Sequence, residues 1–218
     1  MSGAVLVADP SALAAVGLTE ALTGHGLAAQ TPVTDRRSLE ARLANGAPPA
    51  LVALGSALVP PDDLAPLVEA VASTGATCLV MLARDDVEPL PLLEAGALGF
   101  VPCDVGDEQL CRTVEAALRG EACIPRGTLA TILRSLVERR RADDAAHRRY
   151  ATLTPRETEV LALLVEGATT EVIAARLVLS PNTIRTHLGN LMAKLGVRSQ
   201  VDAVRLVHEH DLRPRRSA

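Results

Sequence analysis

Five short apolar runs in the first 120 or so residues barely alternate, and a stretch with helical spacing follows each of them. A strand with one face in water alternates apolar and polar side chains, whereas a strand covered on both faces need not. The runs are Ala4–Ala8, the weaker Leu27–Val33, Leu51–Leu54, Thr77–Ala83 and Gly99–Val101. The first helical pattern carries Leu13, Val16, Leu18 and Leu22 and is stopped by Gly24 and Gly26. The second opens at Thr34 or Asp35 and places Leu39 and Leu43 on one face, before Asn45-Gly46 and Pro48-Pro49 punctuate the chain. An Asp62-Asp63 cap precedes Leu64, Leu67, Val68 and Val71; Glu88–Ala95 and Gln109–Leu118 complete the set. Five such units predict an α/β, (βα)5 doubly wound parallel sheet with helices on both faces. Ligands of such sheets sit at the carboxyl ends of the strands, so the residues there decide function.

The rest of the chain shows helical pattern only. Leu129, Ile132, Leu133, Leu136 and Val137 form one apolar stripe, and Glu138–Tyr150, dense in Arg, Asp and His, reads as a solvated linker. Four helix patterns follow. The first opens at Thr154-Pro155, with Glu157 at capping-box spacing, and ends at Gly167. The others run from about Thr170 to Leu177, from Ser180-Pro181 to Leu195 with Gly196 as stop, and from Ser199 to about His210. The expected organisation is an α/β half at 1–122, a helical linker at 123–149, an all-α four-helix domain at 150–212 and a basic tail at 213–218.

Charge divides the same way. The net −4 of the 218 residues argues by itself against a nucleic-acid partner. Residues 1–124, however, carry 6 basic against 16 acidic side chains, net −10, and residues 125–218 carry 16 against 10, net +6. Only the second half suits phosphates. With 48% hydrophobic and 22% charged residues the chain belongs among globular proteins, not disordered ones. No apolar run approaches the roughly 18 residues of a membrane span, and Met1-Ser2-Gly3-Ala4 lacks the basic patch of a signal peptide. Cys78, Cys103, Cys111 and Cys123 form no C-x-x-C pair, so the expected protein is cytoplasmic, without disulfides and away from membranes. An enzyme is not expected: there is no G-x-S-x-G, no phosphate loop and no pair of carboxylates at strand ends.

Thr170–Leu177 and Pro181–Leu195, joined by a tight connection, have helix-turn-helix dimensions. On the second helix Ile184, Leu188, Leu191 and Leu195 share one face, while Asn182, Arg185, Thr186, Gly189 and Asn190 fall on the other. A guanidinium reads guanine, an amide adenine and a hydroxyl either, although the same pattern also suits the solvated face of an ordinary bundle.

The residues Leu153-Thr-Pro-Arg-Glu157, Glu166-Gly167, Ile173-Ala-Ala-Arg-Leu177, Ser180-Pro-Asn-Thr-Ile-Arg-Thr-His-Leu188 and Lys194-Leu-Gly-Val-Arg-Ser199 favour the first reading. In that order they resemble the LuxR-type DNA-binding domain over about 60 residues. The resemblance implies a domain that binds double-stranded DNA as a dimer, with its third helix in the major groove. It places Arg185, Thr186 and Gly189 towards bases, and Ser180, Thr183 and Lys194 towards phosphates. Asn182, Asn190 and Arg198 join the expected DNA-binding set. His187 has no second ligand at helical spacing, so it is expected near phosphate and not on a metal. Gly189 offers no side chain where relatives carry Lys, Ser or Arg. Glu171 puts a carboxylate near the DNA backbone, in a Thr170-Glu171-Val172 segment where relatives have Asn-Lys-Glu.

A LuxR-type domain behind a (βα)5 module resembles NarL/FixJ-type response regulators, whose front half is a phospho-accepting receiver. Receiver chemistry uses two acids after the first strand for Mg²⁺, an acceptor Asp, a hydroxyl and a lysine. Here those positions are Asp9, Pro10, Gly55, Met81 and Cys103, and only Asp9 keeps its group. Asp62 and Asp63 are expected to cap a helix rather than to replace the acceptor. A degenerate receiver that takes no phosphate and needs no cofactor or metal follows. Its crevice, with Pro102 beside Cys103, either binds a small apolar ligand or is closed in a constitutive dimer. A redox role for Cys103 is disfavoured because Asp104 and Asp107 beside it would repel a thiolate, and Cys78, Cys111 and Cys123 are expected in the core.

The expected function is a bacterial transcription regulator that acts without Asp phosphorylation and binds an inverted repeat. Its homodimer would form through the last receiver helix and the Leu129–Val137 stripe. RNA polymerase is a candidate partner, and Arg139, Arg140, Arg141, Arg148 and Arg149 are candidate phosphate contacts, with a solvated charge run as the default. The alternatives are a module that heterodimerises with and titrates an intact regulator, and a ligand-responsive regulator that uses the crevice.

Overall fold

A computed structural model describes residues 3–45, 48–83 and 87–212. The basic tail 213–218, the first two residues of the amino-terminal start and Gly46 of the Asn45-Gly46 turn lie outside the described residues. The chain divides into two compact units, Met1–Ser135 and Leu136–Ala218.

Four parallel strands, β1 (Val5–Ala8), β2 (Leu51–Gly55), β3 (Thr77–Leu82) and β4 (Ala97–Pro102), form the sheet of the first unit in the order β1-β2-β3-β4. Because the strands are buried on both faces, successive side chains enter different cores. Val5, Val7, Leu51, Ala53, Leu79 and Met81 pack with Ala15 and Leu22 of α1 (Ala12–Gly24) and with Leu110, Val114 and Ala117 of α5 (Asp107–Leu118). On the opposite side Leu6, Val52, Leu54, Val80 and Phe100 meet α2 (Arg36–Asn45), α3 (Pro61–Ser73) and α4 (Pro89–Glu94). The architecture is the doubly wound α/β one.

The second of the five expected strands does not form. Residues 28–33 run beside β1 but touch it only through isolated bridges, Val5 with Ala29 and Ala8 with Val33. Gln30 N–H donates to the Val5 carbonyl at 2.8 Å. In a regular parallel ladder residue 32 would donate next, but Pro32 has no N–H, so Val33 supplies the bond to Val7 O at 3.0 Å. The extra residue breaks the ladder.

Two helix details also differ. The α1 stripe is Ala15, half-buried Leu18 and Leu22, whereas Leu13 is 86% exposed and Val16 is exposed. Asp62 and Asp63 do not cap α3: Pro60 takes that place with no side-chain bond, and the two carboxylates lie in the first turn, where they favour the helix dipole.

The helix α6 (Arg126–Tyr150) continues through the stretch expected to be a solvated linker. In the first unit its Ile132 is buried. In the second unit its Ala146 is buried with α7 (Pro155–Val165), α8 (Thr170–Leu177), α9 (Pro181–Leu195) and α10 (Gln200–Glu209). Asp143 and Arg149 of α6 also bond within that unit: His210 Nδ1 lies 2.6 Å from Asp143 Oδ1, and Arg149 Nη1 donates to Leu195 O at 3.4 Å. A charge-rich sequence hides this packing because its only core side chain is an alanine. Leu129, Leu133, Leu136 and Val137 of the expected stripe are exposed.

Candidate nucleic-acid interface

The four carboxyl-terminal helices form where their caps predict. Thr154 and Glu157 make a reciprocal capping box on α7: Thr154 Oγ1 accepts from Glu157 N–H at 3.3 Å, and Glu157 Oε2 accepts from Thr154 N–H at 2.8 Å. Thr169 caps α8, Ser180 caps α9 and Ser199 caps α10, each through its own hydroxyl. Gly196, at φ 72°, closes α9 in the left-handed conformation that suits glycine. The α8–α9 turn passes instead through Val178, at φ 54° and 89% exposed, a β-branched residue where glycine or asparagine is easier.

The apolar line of α9, Ile184, Leu188, Leu191 and Leu195, is buried, which turns Asn182, Arg185, Thr186, Gly189 and Asn190 outward. The side chains of Arg185, Asn182 and Asn190 have no hydrogen bond or ion pair to other described residues, so their donors face solvent. Thr186 is more restricted because its hydroxyl donates to Asn182 O at 3.2 Å. At the amino end of α9, Ser180 Oγ accepts from Thr183 N–H at 3.1 Å and lies 2.8 Å from Thr183 Oγ1. The dipole end of the helix favours an anion there. His187 is half-buried beside this face, and Arg198 is exposed just beyond Gly196. Glu171 is exposed in the first turn of α8.

Lys194, expected towards phosphate, also has a partner within the described residues. Its Nζ lies 2.6 Å from Glu157 Oε2, inside the helical module. Burial alone would push the Glu157 carboxyl up, but bonds from Lys194 and from the backbone and hydroxyl of Thr154 hold it below the ordinary range. Of the arginines expected as linker contacts, Arg149 is engaged by Leu195 O and Arg140 by Asp144 at 3.5 Å.

The strand-end crevice of the first unit brings together Asp9, Met81 and Cys103, with Pro102, around a cleft of about 260 Å³. Pro10 is exposed outside it. Asp9 Oδ1 accepts from Ser11 N–H at 2.9 Å, and a Cβ on Gly55 would lie 2.5 Å from Asp9 Oδ2. A side chain at position 55 would displace this carboxylate, whose oxygen is the free end of a side chain. The Mg²⁺ of a phospho-accepting receiver does not fit here, because Pro10 and Gly55 offer no side-chain oxygen and Asp9 is one ligand by itself. Among the described residues no group of three His, Cys, Asp or Glu could hold a metal ion. Sequence reasoning missed Ser56, which is buried and whose Oγ accepts from Ala83 N–H at 2.9 Å, tying the end of β2 to the end of β3. Its only sequence signal is a polar residue closing an apolar run.

The cysteines divide. Cys78 is fully buried, and burial pushes its thiol up to about 12. Cys111 is also buried, Cys123 is half-buried and Cys103 is exposed.

Residues 151–207 match the family of bacterial regulatory proteins known as the luxR family. Over 128 residues the chain is 30% identical to the transcriptional regulatory protein LiaR of Bacillus subtilis, covering 59% of each protein. It is 27% identical over 137 residues to the nitrate/nitrite response regulator protein NarL of Escherichia coli, covering 62% of each. The chain thus spans about three-fifths of the length of these curated relatives. Among solved structures, the response regulator RcsB in complex with DNA has a TM-score of 0.52 at 19% identity, over 96% of this chain and 99% of that one. Another structure of the RcsB response regulator, from Salmonella typhimurium, also scores 0.52, at 18% identity, over 95% and 99%. These likenesses give the fold: a receiver-like α/β unit followed by a helix-turn-helix domain. Among the described residues no helix is long and apolar enough to cross a membrane.

Proposed function

We propose that this chain, built as a NarL/FixJ-type response regulator with a carboxyl-terminal LuxR-type domain, is a DNA-binding transcription regulator that acts without phosphorylation of an aspartate. The observation that carries the first part is the outward face of α9. Asn182, Arg185 and Asn190 stand exposed with unspent donors, on a helix whose opposite face is buried. A helix of that width enters a major groove, where a guanidinium pairs with guanine and an amide with adenine. Ser180, Thr183, His187 and Arg198 flank the face as phosphate contacts, and the +6 of residues 125–218 supplies the general attraction.

The second part rests on the crevice, where Asp9 lies against Gly55, a residue without a carboxylate, at the acceptor position. The domain limits that fit this reading are a degenerate receiver at 1–122, a linker at 123–149 and the DNA-binding domain at 150–212. The regulator works in the cytoplasm as a homodimer, through α5 and the exposed Leu129, Leu133, Leu136 and Val137. A dimer sets two α9 helices about one DNA turn apart, which calls for an inverted repeat.

Unbiased site selection with the purified full chain, alongside gel filtration, tests this reading. Enrichment of a palindrome by a dimeric chain alone supports it. A chain that titrates an intact regulator through heterodimers would enrich no site alone. A stable Mg²⁺-dependent acyl phosphate after incubation with acetyl phosphate would overturn the phosphorylation-independent part.

A further inference from the structure

We propose that Gly189 leaves one base pair in each DNA half-site without a side-chain reader, a gap between the pairs read from its two sides. This rests on the DNA-binding reading of α9. At 3.6 residues per turn, Asn182, Thr186, Gly189 and Ala193 follow one another along the middle of the outward face, with Arg185 and Asn190 on its flanks. Along that line the side chain shortens from an amide to a hydroxyl to nothing.

Neither packing nor backbone geometry requires glycine at this place. An ideal Cβ on Gly189 would meet no atom within 4 Å, and its φ is not in the left-handed region. Glycine inside a helix costs stability that alanine does not. What the missing side chain changes is therefore felt by whatever docks on this face. The helix cannot sink to close the gap, because Arg185, Thr186 and Asn190 stand around Gly189 and set the distance to the groove. A base pair opposite it faces empty space or water, and a direct contact worth roughly tenfold in base discrimination is lost.

The test is site selection in parallel with the wild-type full chain, Gly189→Ala and Gly189→Arg. The wild type is expected to show a position inside each half-site where no base is favoured more than about twofold, between specified positions. Gly189→Ala, which adds no donor, gains no preference at the unspecified position and melts no lower than wild type. Gly189→Arg gains a preference for guanine of about tenfold at the unspecified position and leaves the others unchanged. A wild-type site specified without interruption overturns the proposal, as does a Gly189→Arg that gains no preference or changes only a pair already specified. If Gly189→Arg does not fold, the wild-type and Gly189→Ala sites still decide. Absence of enrichment by the wild type overturns instead the DNA-binding reading itself.

Discussion

Lys194 Nζ lies 2.6 Å from Oε2 of Glu157, a carboxylate only 4% exposed. The same oxygen accepts the Thr154 N–H at 2.8 Å, so the only lysine of the chain ties the end of α9 to the first turn of α7. A residue placed among the phosphate contacts by resemblance thus has an internal partner that holds α9 in position.

Removing that partner leaves a buried carboxylate unpaired. Breaking a fully buried pair costs about 3–5 kcal/mol. The Lys194 side chain is about one-third exposed, so water screens part of this, and Lys194→Met is expected to cost about 1–3 kcal/mol. Hydrogen exchange on the full chain reads it as lost protection in α7 and α9, with α1 and α5 unchanged. Unchanged protection, with a DNA-binding salt slope lower by about one, would put Lys194 on a phosphate instead.

Acid should loosen the same module. The Glu157 carboxyl titrates below its ordinary value in the folded chain, since the bonds from Lys194 and Thr154 outweigh the opposing effect of burial. A carboxylate with a depressed folded pKa contributes stability that is present above its unfolded pKa and is lost as pH falls through the folded one. Protection of α7 is expected to decline below about pH 4.5, and Glu157→Gln should flatten that part of the profile. An unaltered profile in Glu157→Gln would contradict the assignment.

The crevice should resist repair. In Gly55→Asp the new Cβ would fall 2.5 Å from Asp9 Oδ2 and add a second carboxylate beside the first. The variant is expected to lose stability in the first unit and to form no acyl phosphate with acetyl phosphate and Mg²⁺. A stable, fully phosphorylated Gly55→Asp would show that the site retains receiver chemistry.

The α8–α9 turn carries removable strain. Val178, at φ 54° and exposed, makes no buried contact that a smaller residue would forfeit. Val178→Gly or Val178→Asn is expected to stabilise the helical module by about 1 kcal/mol, measured by denaturant unfolding. Destabilisation by either would show that the valine side chain contributes packing.

How much the residue order reveals depends on which physics decides each element. The helices of the carboxyl-terminal module are legible because caps at Thr154, Ser180 and Ser199 are local chemistry. The two faces of α9 are legible because helical spacing alone separates Ile184 from Arg185. The Leu27–Val33 strand fails on a single missing N–H at Pro32, which apolar pattern does not register. Helix α1 misleads because Leu13 looks more like core than Ala15, yet it is the small residue that lies against the sheet. Ala146 is hidden in a charge-rich stretch, and so are the bonds of Asp143 and Arg149, whose partners are 46 or more residues away. The emptiness at Gly55 is readable as a missing acid, but the approach of the Asp9 carboxylate to this position needs coordinates.

If the outward face of α9 reads DNA, it does so foremost through Arg185, a cation whose side chain has no bond to the rest of the described chain. Fluorescence anisotropy on the selected site, comparing wild type with Arg185→Ala at fixed salt, tests this most directly. A loss of about 1–3 kcal/mol in binding and relaxed preference at one guanine per half-site are expected. Unchanged affinity and unchanged base preference in Arg185→Ala would contradict it.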